Sequence, residues 1–314
     1  MATKILQRRV RTARPQPRIR RLVLTEADYI LFQAIDRHGP LPSGYLYEFT
    51  RHLRADRTHL QNRLTEFYNG DTGGGYLLRP PQQFAGFEAR YQHLVYDLAP
   101  RARQLLAERE TGAWQRRARS DPFVHRLMSA CVSASFELTV AAHGLRYISL
   151  QDILSHSACD ARLADDPLAV PLSLAGPFRL IPDLLFGLEY PGTGFRFFAV
   201  EIDRNTESIE RRNLGQSSFA RKIAAYETML AEQTYRAWWG IPNLHVLVAT
   251  TSATHARAII RYLSSRLLPE HRGKFAVTSI SAFGSDWRVP RGPLINLLDL
   301  PWLTVCGVRS LSEV

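Results

Sequence analysis

Beyond residue 24 the apolar residues first fall at helical intervals. Thr25-Glu26-Ala27-Asp28 supplies a helix start, and Tyr29, Ile30, Phe32, Ala34 and Ile35 follow as an apolar stripe. His38-Gly39-Pro40 ends the run, because glycine leaves the helical path and proline cannot rejoin it. A short helix is expected over 43–50. A third is expected over 56–68, where Leu60, Leu64 and Phe67 stand at i, i+4 and i+7. The glycine-rich run 69–75 predicts a flexible turn into a strand at 76–79, with a second strand at 93–98 and a helix over 100–110. Residues 111–120 are charged and lack periodicity, which places a domain boundary there.

The second half alternates between the two periods. Asp121-Pro122 opens a helix with a cap and an early proline, and Phe123, Leu127, Cys131, Ala134 and Leu138 mark its stripe. A strand is expected over 146–154 and an irregular insertion over 158–171. Then comes a hairpin. Its first strand, 179–189, is Leu, Ile and Phe broken by Pro182 and Asp183; its turn is Tyr190-Pro191-Gly192-Thr193-Gly194; its second strand, 195–203, ends in Glu201 and Asp203. A long segment follows, helical from about residue 214 on its apolar spacing, with Phe219, Ile223, Tyr226 and Leu230 on one face. A strand at 244–250, a helix at 252–267 and a strand at 275–280 complete the pattern. This order predicts an α/β fold with a mixed central sheet flanked by helices. The apolar end, with Trp287, Pro290, Pro301 and Trp302, reads as cover for a sheet edge or as a surface for a partner chain, a homodimer included.

The hairpin concentrates the candidate chemistry. Period two puts Glu201 and Asp203 side by side on one strand face. A hairpin symmetric about Gly192 pairs Glu189 with Phe195 and sets Asp183 opposite Glu201. Carboxylates gathered between apolar strands need a cation, a proton or a water-filled cleft, and Mg²⁺ (or Mn²⁺) held by Asp183, Glu201 and Asp203 answers that need. Lys222 stands three residues after Phe219 and four before Tyr226, so it must snorkel to water or find an acid. If its helix packs beside the hairpin, those acids supply the partner.

Charge then changes the picture at the N-terminus. The 314-residue chain carries a formal net charge of +11, most of it in residues 1–21, where Lys4 and the arginines, Arg8, Arg9 and Arg11 among them, stand without an acid. Such a segment suits phosphate contacts; a solubilising tail or a targeting signal is the alternative. Arg57, His59, Gln61, Asn62 and Arg63 line the polar side of the third helix, either to meet base edges or simply to be solvated. Three scattered cysteines exclude a disulfide framework and suggest a reducing cytoplasm, and no apolar run reaches membrane length.

Three helices, a glycine-tipped hairpin and a further helix resemble a winged helix-turn-helix, with 56–68 in the recognition position and the wing open to protein contacts as well. Pro182-Asp183, an intervening hairpin and Glu201-Ile202-Asp203 resemble the core of the PD-(D/E)xK nuclease superfamily. That pattern has lysine where this chain has Asp203, a departure that weighs against cleavage. The superfamily resemblance implies two further roles: Glu137 as an extra acid from the preceding helix, and Lys222 as a motif lysine moved from strand to helix. EIDRNTE followed by RKIAAYE also resembles the bacterial replication-relaxation family of mobile-element proteins, which couples these two modules.

The expected organisation is therefore a basic arm at 1–23, a winged helix-turn-helix at 24–116 and a nuclease-like domain at 117–314. The expected partner is double-stranded DNA, in the cytoplasm at the nucleoid. The expected activity is Mg²⁺-dependent nicking or cleavage, or else sequence-specific binding by a protein whose nuclease-like domain serves dimerisation or recruitment.

Overall fold

The computed structural model describes residues 21–54, 56–84, 93–109, 121–156, 159–174, 176–204, 219–283 and 290–313. The chain divides into two compact units. The first runs to Ala134 and takes back a short segment ending at Pro293; the second begins at Ser135 and takes Leu294 onward. The arm carrying Arg8, Arg9 and Arg11 and the charged stretch 111–120 lie outside the described residues.

In the first unit, α1 (Glu26–His38), α2 (Ser43–Thr50) and α3 (Arg57–Asn69) precede α4 (Pro100–Arg109). Three short strands, β1 (Leu41–Pro42), β2 (Leu77–Leu78) and β3 (Val95–Leu98), pair antiparallel in the order β1-β3-β2. Both long helices start where a carboxylate can hold their free amides. Asp28 Oδ2 accepts from the Thr25 N–H at 2.9 Å, and Asp56 Oδ1 accepts from the His59 N–H at 2.7 Å. The core-facing side of α1 is turned from the expected stripe: Leu31, Phe32, Ala34 and Ile35 are buried, while Tyr29 and Ile30 are only half-buried. The glycine-rich run is likewise not a hairpin tip. It turns α3 into β2, and the Asp71 carboxylate, fixed by Arg101, accepts from the Leu22 N–H. Between β2 and β3 the side chain of Gln83 pairs with both backbone groups of Val95, at 2.9 and 3.0 Å, extending the ladder by a side-chain amide.

α5 (Phe123–Thr139) crosses the division between the units. Its stripe leaves Leu138 half-buried and buries Phe136 instead. The expected strand 146–154 is a three-residue strand, β4 (Arg146–Ile148), followed by a short helix, α6 (Leu150–Ser155). Ser149 and Asp152 make a reciprocal capping box there, and that local preference overrides the apolar run. The expected strand 179–189 is also two elements. β6 (Pro177–Leu180) pairs with β5 (Val170–Ser173) in a separate ribbon, and β7 (Leu184–Tyr190) joins the main sheet. Pro182 has no N–H to give to a ladder, and the chain changes sheets at that break.

The second unit is built on a mixed sheet of seven strands. β8 (Gly194–Asp203), β9 (His245–Thr250) and β10 (Phe275–Ser279) are parallel; β11 (Trp302–Thr304) and β12 (Gly307–Arg309) extend one side and β7 and β4 the other, for an order β12-β11-β10-β9-β8-β7-β4. The parallel crossovers carry α7 (Phe219–Ala231), α8 (Thr234–Trp239) and α9 (Ala253–Arg266). The expected helical start near 214 falls outside the described residues. The apolar C-terminal segment is consumed by the fold: Trp302 is fully buried on β11, and its indole N–H donates to the Leu297 carbonyl.

Phe136, Phe186 and Phe198 stack through the sheet centre, with ring centroids 4.6 and 5.3 Å apart. Each buried phenyl contributes roughly 1.5–3 kcal/mol relative to exposure. Gly187 is required beside them, since a Cβ there would meet the Phe197 ring at 2.8 Å. Glu189 pairs with Phe195 and Leu184 with Val200, and the Asp183 N–H continues the ladder to the Val200 carbonyl at 3.0 Å. The hairpin therefore keeps its symmetric register up to the proline, with Asp183 level with Glu201. No helix among the described residues is long and apolar enough to cross a membrane.

Candidate functional site

At the end of β8 the Glu201 side chain is 4% exposed. Both of its oxygens are used. Lys222 Nζ donates to Oε2 at 2.6 Å, and the Tyr226 hydroxyl donates to Oε1 at 2.6 Å. Lys222 and Tyr226 are four apart on α7 and so share a face, which the sequence of that helix sets toward the strand. Asp183 is buried at the Pro182 break, and its Oδ2 accepts from the Ile202 N–H at 2.7 Å. A side-chain oxygen thereby takes the ladder position that the chain vacates, and this aligns the carboxylate beside Glu201.

The electrostatics follow from that enclosure. Burial pushes the Glu201 carboxyl above the usual carboxylate range; Lys222 draws it back down, and the neighbouring Asp183 raises it. Burial, and next the charge of Glu201, push the Tyr226 phenol well above its ordinary value. Lys222 is one-third exposed, so the buried acid is joined to solvent through a cation.

Asp203 meets a histidine. Its Oδ2 lies 2.7 Å from His255 Nε2, and both side chains are nearly buried. The His255 N–H in turn donates to the Ser252 cap of α9. In place of three carboxylates sharing one cation, Glu201 meets Lys222 and Tyr226, and Asp203 meets the histidine that α9 brings to the end of the strand. Among the described residues no group of three or more His, Cys, Asp or Glu side chains is placed to hold a metal ion. What remains is a two-carboxylate donor set, Asp183 and Glu201. These two are the side chains here that could hold a hard divalent ion.

Glu137 is half-buried on α5. Tyr226 and His255 were not legible as site residues. Tyr226 reads as one more member of an apolar stripe; its position four residues from Lys222 is the one signal that it has a polar partner. His255 reads as an ordinary first-turn residue, three after Ser252.

On α3 the candidates separate. His59, Gln61 and Asn62 are exposed, and Arg57 is exposed with its guanidinium 5.0 Å from the Tyr47 ring and 3.5 Å from Glu48. Arg63 turns inward instead. It donates to Asp28 at 2.7 Å, to Glu66 at 2.9 Å and to the Val23 carbonyl, and it covers the Phe67 ring. The reason is positional: Arg63 stands four residues before Phe67 and three after Leu60, at the border of the buried stripe. Arg63 therefore anchors the helix, and the outward polar face is Arg57, His59, Gln61 and Asn62.

The family model for replication-relaxation matches residues 32–244, more than half of the chain and both units. No curated protein and no solved structure matches the chain.

Proposed function

This chain belongs to the replication-relaxation family, and from that premise we propose a DNA-binding protein that carries a metal-dependent phosphodiester-cleaving site at Asp183, Glu201 and Lys222. The family itself points to mobile-element replication or mobilisation. The observation that carries the cleavage reading is the 2.6 Å contact between Lys222 and Glu201. A cation from the neighbouring helix stands beside the carboxylate in a chain whose strand lacks the motif lysine. The hairpin that sets Pro182-Asp183 beside Glu201 at its open end supports a PD-(D/E)xK-like domain. The three helices with a small antiparallel sheet support a winged helix-turn-helix in the first unit.

In this reading Asp183 and Glu201 would hold Mg²⁺ or Mn²⁺. When bound, the ion lowers the pKa of a water and offsets charge developing on the phosphate. Lys222, held beside Glu201, would orient the attacking water or a phosphoryl oxygen, and Tyr226 would keep the carboxylate aimed. Asp203 and His255 brace the end of the strand. A second reading, a binding protein without cleavage, draws on Asp203 itself: the lysine position holds an acid that is already satisfied by His255.

Supercoiled plasmid incubated with the full chain and Mg²⁺ or Mn²⁺ tests the choice. Nicking is expected from the wild type and not from Asp183→Ala. The absence of nicking in both, with DNA binding intact, favours the second reading. The ion is also expected to raise the melting temperature of the wild type but not of Asp183→Asn, by mass action on the folded state. Calorimetry without divalent-ion binding at millimolar concentration would remove the metal from the proposal.

For the DNA contacts, Arg57, His59, Gln61 and Asn62 meet base edges, while the arm with Arg8, Arg9 and Arg11 meets phosphates. Replacing Gln61 and Asn62 by alanine should weaken specific binding by about 1–3 kcal/mol per lost base contact and leave random-sequence binding nearly unchanged. Deleting residues 1–21 should flatten the dependence of affinity on salt. Equal losses on both DNAs, or an unchanged slope, would contradict these assignments.

A further inference from the structure

The three parallel strands of the second unit begin at a concentration of positive charge. Phe198 is in register with His245, and Phe275 with Val246, so Arg196, His245 and Lys274 sit on one face at neighbouring strand starts. The His245 ring packs 5.7 Å from that of Phe198. Arg309, from β12, reaches the same place: its Nη1 donates to the carbonyl of Gly273, the residue before Lys274, at 3.3 Å. Arg196 lies over the Tyr190 ring and donates to the Glu313 carbonyl at 3.5 Å.

These side chains are half-buried, and some of their polar atoms are enclosed and, among the described residues, unanswered. The Nε and Nη2 of Arg309 and the Nδ1 of His245 are buried without a hydrogen-bond partner among the described residues. Among the described residues Arg196 and Arg309 meet neutral carbonyls and a ring rather than a carboxylate. Burial, then Arg309, Lys274 and Arg196, push the His245 imidazole down to about 3, and Arg309 and Arg196 add to burial in lowering Lys274. Buried charged donors left unpaired are costly, and an anion among them removes both the missing hydrogen bonds and the mutual repulsion.

We propose that Arg196, His245, Lys274 and Arg309 form a binding site for a phosphate oxyanion. A planar guanidinium with two free N–H edges fits a phosphate in a forked arrangement, and Lys274 adds a point charge. The site is separate from the carboxylate cluster: Arg196 precedes Glu201 by five residues, about 16 Å along the strand, and faces the other side of the sheet. It does not rest on the cleavage reading. The phosphate can belong to a free phosphate compound or to a nucleic-acid backbone.

Titration of the full chain with orthophosphate, at ionic strength matched with chloride, tests the site. Orthophosphate should raise the melting temperature beyond chloride and bind measurably by calorimetry. Arg309→Gln should weaken that binding at least tenfold without lowering the melting temperature in chloride, since it removes two unsatisfied N–H groups and relieves repulsion from Lys274 and Arg196. Arg196→Gln, at a half-buried position, serves as the second variant and should show the same loss. A short DNA duplex separates the sources. Loss of orthophosphate binding with unchanged duplex affinity assigns a free phosphate compound, and parallel loss of both assigns the DNA backbone. No response in the wild type beyond chloride, or an undiminished response in both variants, overturns the site.

Discussion

Lys222→Met is expected to abolish metal-dependent nicking, by about 10²–10⁴-fold, while changing DNA affinity by less than about twofold. The variant keeps most of the stem packing on α7 and removes the charge that Glu201 meets at 2.6 Å. Without that charge the buried carboxyl, already raised by its enclosure, is driven further toward its neutral form, and a neutral acid is a poor ligand for a divalent ion. Two functions are lost together: charge at the reacting phosphate and the ionised state of Glu201. Tyr226→Phe separates them. It removes one hydrogen bond to Glu201 without touching the cation, so it should lower stability by about 1–3 kcal/mol and nicking far less than Lys222→Met does. Nicking that survives Lys222→Met would remove Lys222 from the chemistry and return the contact to a structural ion pair.

The largest effect on stability is expected at Asp28→Ala. The Asp28 side chain is fully buried, and it receives Arg54 at 2.9 Å and Arg63 at 2.7 Å. Burial raises its carboxyl, but the hydrogen bonds from Arg63 and Arg54 outweigh that and hold it below the usual range. Removing the acid strands two guanidinium groups, of which Arg54 is 3% exposed, and breaking such a buried pair costs about 3–5 kcal/mol. That is a large part of a typical domain stability of about 5–15 kcal/mol. Urea unfolding followed by circular dichroism should show the loss, and DNA binding should fall with it, because Arg63 ties α3 to α1 through this carboxylate. Asp28→Leu combined with Arg54→Leu should recover part of the loss. The pH dependence has a defined sign. A depressed carboxyl contributes stability above the unfolded value of about 3.9, and that contribution disappears as pH falls through the lower folded value. A loss below about 1 kcal/mol for Asp28→Ala would mean that water reaches both arginines.

Local preference was legible in the sequence wherever one physical term dominates. Capping carboxylates at Asp28 and Asp56 mark the starts of α1 and α3. The Pro191–Gly194 turn and strict period two bring Glu189 to Phe195 and keep Asp183 level with Glu201. The expectation failed where two local signals compete over a short run. Residues 146–154 are apolar enough for a strand, yet Ser149 and Asp152 start a helix there. Residues 179–189 read as one strand, yet Pro182 divides them between two sheets.

Side-chain destinations belonged to the tertiary structure. Spacing put Lys222 at the edge of an apolar stripe, where a charged group has two outcomes, solvent or a buried partner, and it put Arg63 on the polar side of α3, where the structure turns it inward. For both the partner is a buried acid from a distant part of the chain, Glu201 from β8 and Asp28 from α1. Asp203 shares a strand face with Glu201 by periodicity, but α9, packed against the neighbouring strands, supplies His255 and draws it away. The sequence by itself determined which charges stand at the margins of the core. Which of them meet was decided by the packing of elements far apart in the chain, because a buried charge is satisfied by whatever group the fold brings within hydrogen-bond reach.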